Sequence, residues 1–147
     1  MKPNDGRKWT ETNLAGLFPP STGGHVAPFL SDVLALAPNN VFATGDGWAG
    51  VGGGPAVVVH FNGHGWSLAA SGPDILGANS VASDGRGGLW MTSDTHENIQ
   101  VLLHYSAGQI VNANEAFRSV ASIPGTAEAL GGNASPVATA PTVYQYS

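Results

Sequence analysis

The strongest constraint on this chain is a strand–turn–strand phrase that returns. Ala56 to Trp66 reads AVVVHFNGHGW. Val57, Val58 and Val59 are β-branched and lie in an apolar run too short for a helix, which predicts a buried or half-buried strand. Asn62-Gly63 supplies the two residue types that most readily adopt positive φ, as a short hairpin requires, and Trp66 opens the return strand. Leu102 to Ile110 repeats Val58 to Trp66 at a distance of 44 residues, with His104 on His60 and Ile110 on Trp66. Val143 to Ser147 begins the phrase again with Gln145 at the histidine position, and Asn4 to Trp9 supplies a turn and return strand alone. A second marker keeps the same order. Ser80-Val81-Ala82-Ser83 recurs as Ser119-Val120-Ala121-Ser122, with Asp32 to Ala37 in the corresponding place. Each is followed by a Gly/Pro/Asn turn and a short strand, at Val41 to Gly45, Leu89 to Ser93 and Ala127 to Gly131.

Four short strands in roughly 40 to 50 residues is the size of one β-propeller blade. The expected architecture is therefore all-β, with propeller-type four-stranded blades, about three in this chain, forming a single repeat domain over residues 1–147. The blades fall at about 30–69, 78–113 and 117–147, with a blade remnant at 4–12 and a Gly/Pro-rich inter-blade connector from Asn13 to Phe29. The last unit has no fourth strand, while the chain opens on one. Either this is part of a longer propeller, or two chains close into a six-bladed ring in which each N-terminal strand completes the partner's last blade. Met1 directly before a mid-blade turn favours the first. In both cases open blade edges invite self-association.

Composition narrows the function classes. Twenty-one glycines and ten prolines in 147 residues predict many turns and few long helices. Only five Lys plus Arg, against ten acidic residues, leave no basic footprint for nucleic acid. No apolar run reaches the roughly 18 residues of a membrane span, and no secretory signal precedes the first turn. Without cysteine there is no disulfide framework and no thiolate metal site, which leaves the compartment open.

The stretches Ala37 to Gly45 (APNNVFATG) and Val59 to Trp66 (VHFNGHGW) resemble repeats of secreted or surface β-propellers of actinobacteria and other soil bacteria, which read roughly "PNDVWAVG … LHWDGTSW". Ser122 to Thr126 and the closing Tyr144-Gln145-Tyr146 look like the last repeat of such proteins. The departures are Phe42 and Glu128 in place of the usual Trp, and Ile110 in place of another. Asp5 to Trp9 is similar to the Asp-box turn of sialidase-like propellers, with the Asp one residue too close to the Trp; that turn is structural even in those enzymes. The resemblance implies the fold and export to the cell surface or beyond, and no activity.

Candidate chemistry is sparse. Gly45-Asp46-Gly47-Trp48-Ala49-Gly50 satisfies GxGxxG and follows a strand, but Val51 to Pro55 is a poor helix start, so no dinucleotide cofactor is expected. His60 and His104 hold equivalent places in separate repeats. They are expected to be structural, each ring turned to a neighbouring blade's backbone, and not a metal pair. His64, in the hairpin turn, is expected to be solvated. Asp94 to Asn98 is the densest polar cluster, yet its spacing fits neither a Ca²⁺ loop nor an HExxH helix. No Gly-x-Ser-x-Gly elbow or Ser/His/Asp triad is present, so no catalytic and no metal residue is assigned.

In a four-stranded meander the loops joining strands 2 to 3 and those joining blades emerge on one face, and here those are the long ones. A ligand site is expected on that face, with Trp48 as an aromatic platform and Asp46, Asp94, His96 and Glu97 as polar contacts. The expected function is a non-enzymatic binding or scaffold module for a carbohydrate or protein. The alternatives are part of a propeller-fold glycoside hydrolase or polysaccharide lyase, and an incomplete propeller with no activity of its own. Propeller enzymes gather carboxylates at the axis, whereas the first-strand stretches here carry only Asp32 and Asp84 near their ends.

Overall fold

The computed structural model describes residues 10–18, 28–47, 54–72, 77–94, 100–113, 115, 117–123, 126, 129–133 and 143–146. These residues form an all-β chain whose one helical element is a single 3₁₀ turn, Ala15–Leu17, within the expected connector. The first sheet is a four-stranded antiparallel meander of β1 (Phe29–Ala37), β2 (Asn40–Asp46), β3 (Ala56–Phe61) and β4 (Trp66–Ser71). The second repeats it with β5 (Ala78–Ser83), β6 (Leu89–Asp94), β7 (Gln100–Ser106) and β8 (Gln109–Asn112). The third has three strands among the described residues, β9 (Phe117–Ser122), β10 (Ala129–Asn133) and β11 (Val143–Tyr146). The lone strand expected near the N-terminus lies mostly outside the described residues, and residues 10–12 are not strand.

Register makes the repeat exact at the level of single residues. A bulge interrupts β1 between Leu30 and Asp32 and β5 between Ala78 and Ser80. Val33 then pairs with Ala43 as Val81 pairs with Met91, and Phe42 pairs with His60 as Trp90 pairs with His104. Gly45, in β2, is crossed so closely by the backbone of Phe29 and Leu30 that a Cβ has no room. Only glycine allows β1 to lie there.

The sheets stack face to face. Phe42, Val58 and Ala70 of the first meet Val81, Leu89, Met91, Leu103 and Ile110 of the second in one buried cluster. On the far side of the second sheet, Trp90 and Leu102 receive Phe117 and Val120 of the third. The leading strands run beside one another, β1 against β5 and β5 against β9. Side chains stitch the first of these seams. Ser31 donates to the carbonyls of Ala78 and Thr44, and Asp32 Oδ2 accepts the Val81 N–H at 2.9 Å, on the edge of β5 that β6 leaves open. Val57, Val58 and Val59 are fully buried, as their β-branched run predicts.

The hairpin turns correct one expectation. Asn62 does not take positive φ; only Gly63 does, at 92°. The turn is a four-residue loop, residues 62–65, in which Asn62 Oδ1 accepts the N–H groups of His64 and Gly65 at 2.9 and 3.1 Å. Asparagine acts here through its side chain. The matching hairpin is a two-residue turn, with Ala107 at φ 50° and Gly108 at φ 79°, the arrangement that suits strand twist.

Candidate functional site

Asp46 and Asp94 close β2 and β6 and occupy the same repeat position, at one end of neighbouring sheets. Asp46 is buried, and the backbone of Gly77 presses on it: a Cβ there would stand 2.7 Å from Asp46 Cβ. Next to it the Gly47 N–H donates to the Pro55 carbonyl at 2.9 Å, clasping the β2–β3 loop at its base. Asp94 is half-buried, and its Oδ2 accepts from Asn79 Nδ2 at 2.9 Å. The structure thus brings Asp46 and Asp94 to one rim. The other expected contacts, Trp48, His96 and Glu97, lie outside the described residues.

The two repeated histidines are structural, but not in the way expected. Each ring bonds a side chain of its own sheet and not a neighbouring backbone. His60 Nε2 lies 2.9 Å from Asn40 Oδ1, and the ring stacks on Phe42 with centroids 4.5 Å apart. His104 Nε2 lies 2.9 Å from Asp84 Oδ2, and its ring stacks on Trp90 at 4.3 Å. Asp84 carries more than the histidine. Its Oδ1 accepts the N–H groups of Arg86 and Gly88, both at 2.7 Å, and so ties the five-residue β5–β6 loop to itself. Burial opposes ionisation of Asp84, but the bonds from His104, Arg86 and Gly88 outweigh it and hold the carboxyl below the usual carboxylate range. A signal for these pairs was present in the sequence, since Asn40 and Asp84 each stand 20 residues before their histidine.

Sequence reasoning also missed a groove at the other end of the first sheet. Residues 12–17 lie across the β3–β4 turn and enclose about 430 Å³ with Phe61, His64 and Trp66. Phe61 and Trp66 form a tilted pair with centroids 5.4 Å apart, and His64 is exposed. Among the described residues no group of three or more His, Asp or Glu could hold a metal ion. No helix of the described residues is long and apolar enough to cross a membrane. No family model matches this chain, and no curated protein or solved structure does either.

Proposed function

We propose that the chain is a non-enzymatic binding module of β-propeller type, exported as its repeat resemblance implies, that holds a carbohydrate at the loop-bearing end of its sheets. The reading of the fold is supported by consecutive four-stranded meanders stacked face to face with their leading strands adjacent. The single observation that carries the function is the repetition of Asp46 and Asp94 on one rim. Of the two, Asp94 is the more accessible acceptor for a hydroxyl-rich ligand, with Asp46 buried behind it at the matching strand end and Trp48, two residues on in the sequence, as a surface for a sugar ring. Asp32, Asp84, His60 and His104 make internal hydrogen bonds, as Asp94 does through Asn79.

A panel of soluble glycans tests this by calorimetry. Binding to one glycan class is expected, weakened at least about tenfold by Trp48→Ala and by Asp94→Ala, each loss corresponding to about 1.4 kcal/mol. No binding across the panel overturns the carbohydrate reading. Turnover of a glycan that Asp94→Ala abolishes would replace it with the hydrolase or lyase.

A further inference from the structure

The register that equates the first two sheets also shows that one of them is packed on both faces and the other is not. The face of the second sheet turned to the first buries Ala78 to 2% exposure and Val81 to 9%. Their counterparts on the first sheet, Leu30 and Val33, are 39% and 62% exposed. This face is half covered: Ala43, Val57 and Val59 are buried, and Leu14 lines a cleft of about 380 Å³ with Leu30, Val33, Ala43 and Trp66. What stays open is the β1 half, the strip that β5 presents to the first sheet.

At the opposite end of the stack one described residue shows the same contrast. Ala82, paired with Trp90, is 2% exposed on the face of the second sheet that receives the third. Ala121, at the same register point of β9 opposite Leu130, is exposed. Among the described residues, therefore, one end of the stack lacks a preceding sheet and the other lacks a succeeding one. An apolar strip of this kind is what a subunit interface uses.

We infer that the open β1 face of the first sheet receives the outer face of the third sheet of a second copy of this chain. The new seam continues the two seams already inside the chain. Two copies then close on each other through two such contacts, a closure that rests on the propeller-type reading. The pairing of faces rests on the repeat alone.

Light scattering coupled to gel filtration tests it at tens of micromolar chain. The wild type is expected as one species at twice the 14.9 kDa chain mass. Val33→Asp and Ala121→Arg, both at exposed positions, are expected to give folded monomers by circular dichroism. Mixing the two variants restores one native seam, so a one-to-one pair returns. A wild type that stays monomeric overturns the inference whatever the variants do, and so does a ladder of larger species or an unchanged mass in folded Val33→Asp. If Val33→Asp does not fold, Val33→Thr must raise the dissociation constant at least about tenfold. Glycan binding on the same samples is read independently, so its failure leaves the mass result standing.

Discussion

The loop joining β1 to β2 and the loop joining β5 to β6 stand at the same point of the repeat, yet one has two residues and the other five. Both deliver an acceptor to a histidine stacked on an aromatic ring. In the first sheet that acceptor, Asn40, is itself a strand residue. In the second, Gly88, the last loop residue, stands at the matching register point, and a Cβ there would meet the Asp84 carboxylate and the Tyr105 carbonyl. The carboxylate of a loop residue thus fills the space that the Asn40 side chain fills in the first sheet. The longer loop is tolerable because Asp84 satisfies two of its amides at once. One geometry is reached by a neutral pair and by a charged hub, and these respond differently to mutation and to pH.

The largest effect is expected where the hub has no slack. Gly88→Ala places a methyl group against backbone and carboxylate together and costs about 4 kcal/mol, read from the urea midpoint. Asp84→Ala leaves two amides and His104 without their acceptor and costs about 3 kcal/mol, whereas Asn40→Ala removes one neutral bond and costs about 1 kcal/mol. Equal losses at Asn40 and Asp84 would break the contrast. Acid sharpens it. The Asp84 carboxyl is held below its unfolded value, so the unfolded chain binds more protons in that interval. Its contribution is complete above about pH 4 and lost as pH falls through the depressed value. Urea midpoints from pH 2 to 6 should drop less steeply at the acid end for Asp84→Asn than for wild type, with Asn40→Ala parallel to wild type.

The smallest effect concerns a pair of buried threonines. Thr92 Oγ1 and Ser80 Oγ are 2.9 Å apart and hydrogen-bonded, while Thr44 Oγ1, equally buried, has no partner among the described residues. Asp32 stands where Ser80 would, but its carboxylate is turned to β5. Thr44→Val is therefore expected to stabilise by about 1 kcal/mol and Thr92→Val to destabilise by a similar amount. Thermal midpoints moving in the same direction for both would contradict this.

Much of this architecture was legible because strands announce themselves locally. The valine run, the Asn-Gly turn and the Ser-Val-Ala-Ser marker each sit within one element, and each became strand or turn where expected. What was hidden is the register between elements. The histidines recur at 44 residues, but Phe42 and Trp90, which share a position, are 48 apart. The first two strands of each sheet keep the 48-residue offset, and the change to 44 lies in the connection between the second and third strands, nine residues in the first sheet and five in the second. The histidine partners were missed for the same reason, since one is a strand residue and the other belongs to a loop. Of the candidate site, the sequence placed Asp46 and Asp94 on a common rim; Trp48, His96 and Glu97 lie outside the described residues.

The bond from the Val81 amide to Asp32 has a kinetic consequence. Most protected amides in a sheet report only on their own ladder, but this one is shielded by a carboxylate belonging to the neighbouring sheet. Its hydrogen should exchange whenever the two sheets part, even while each keeps its strands paired. In a stack where stability is shared between units and the seams joining them, that single proton measures a seam. Asp32→Ala should speed exchange at Val81 while leaving the amides of β7, in the interior of the second sheet, protected.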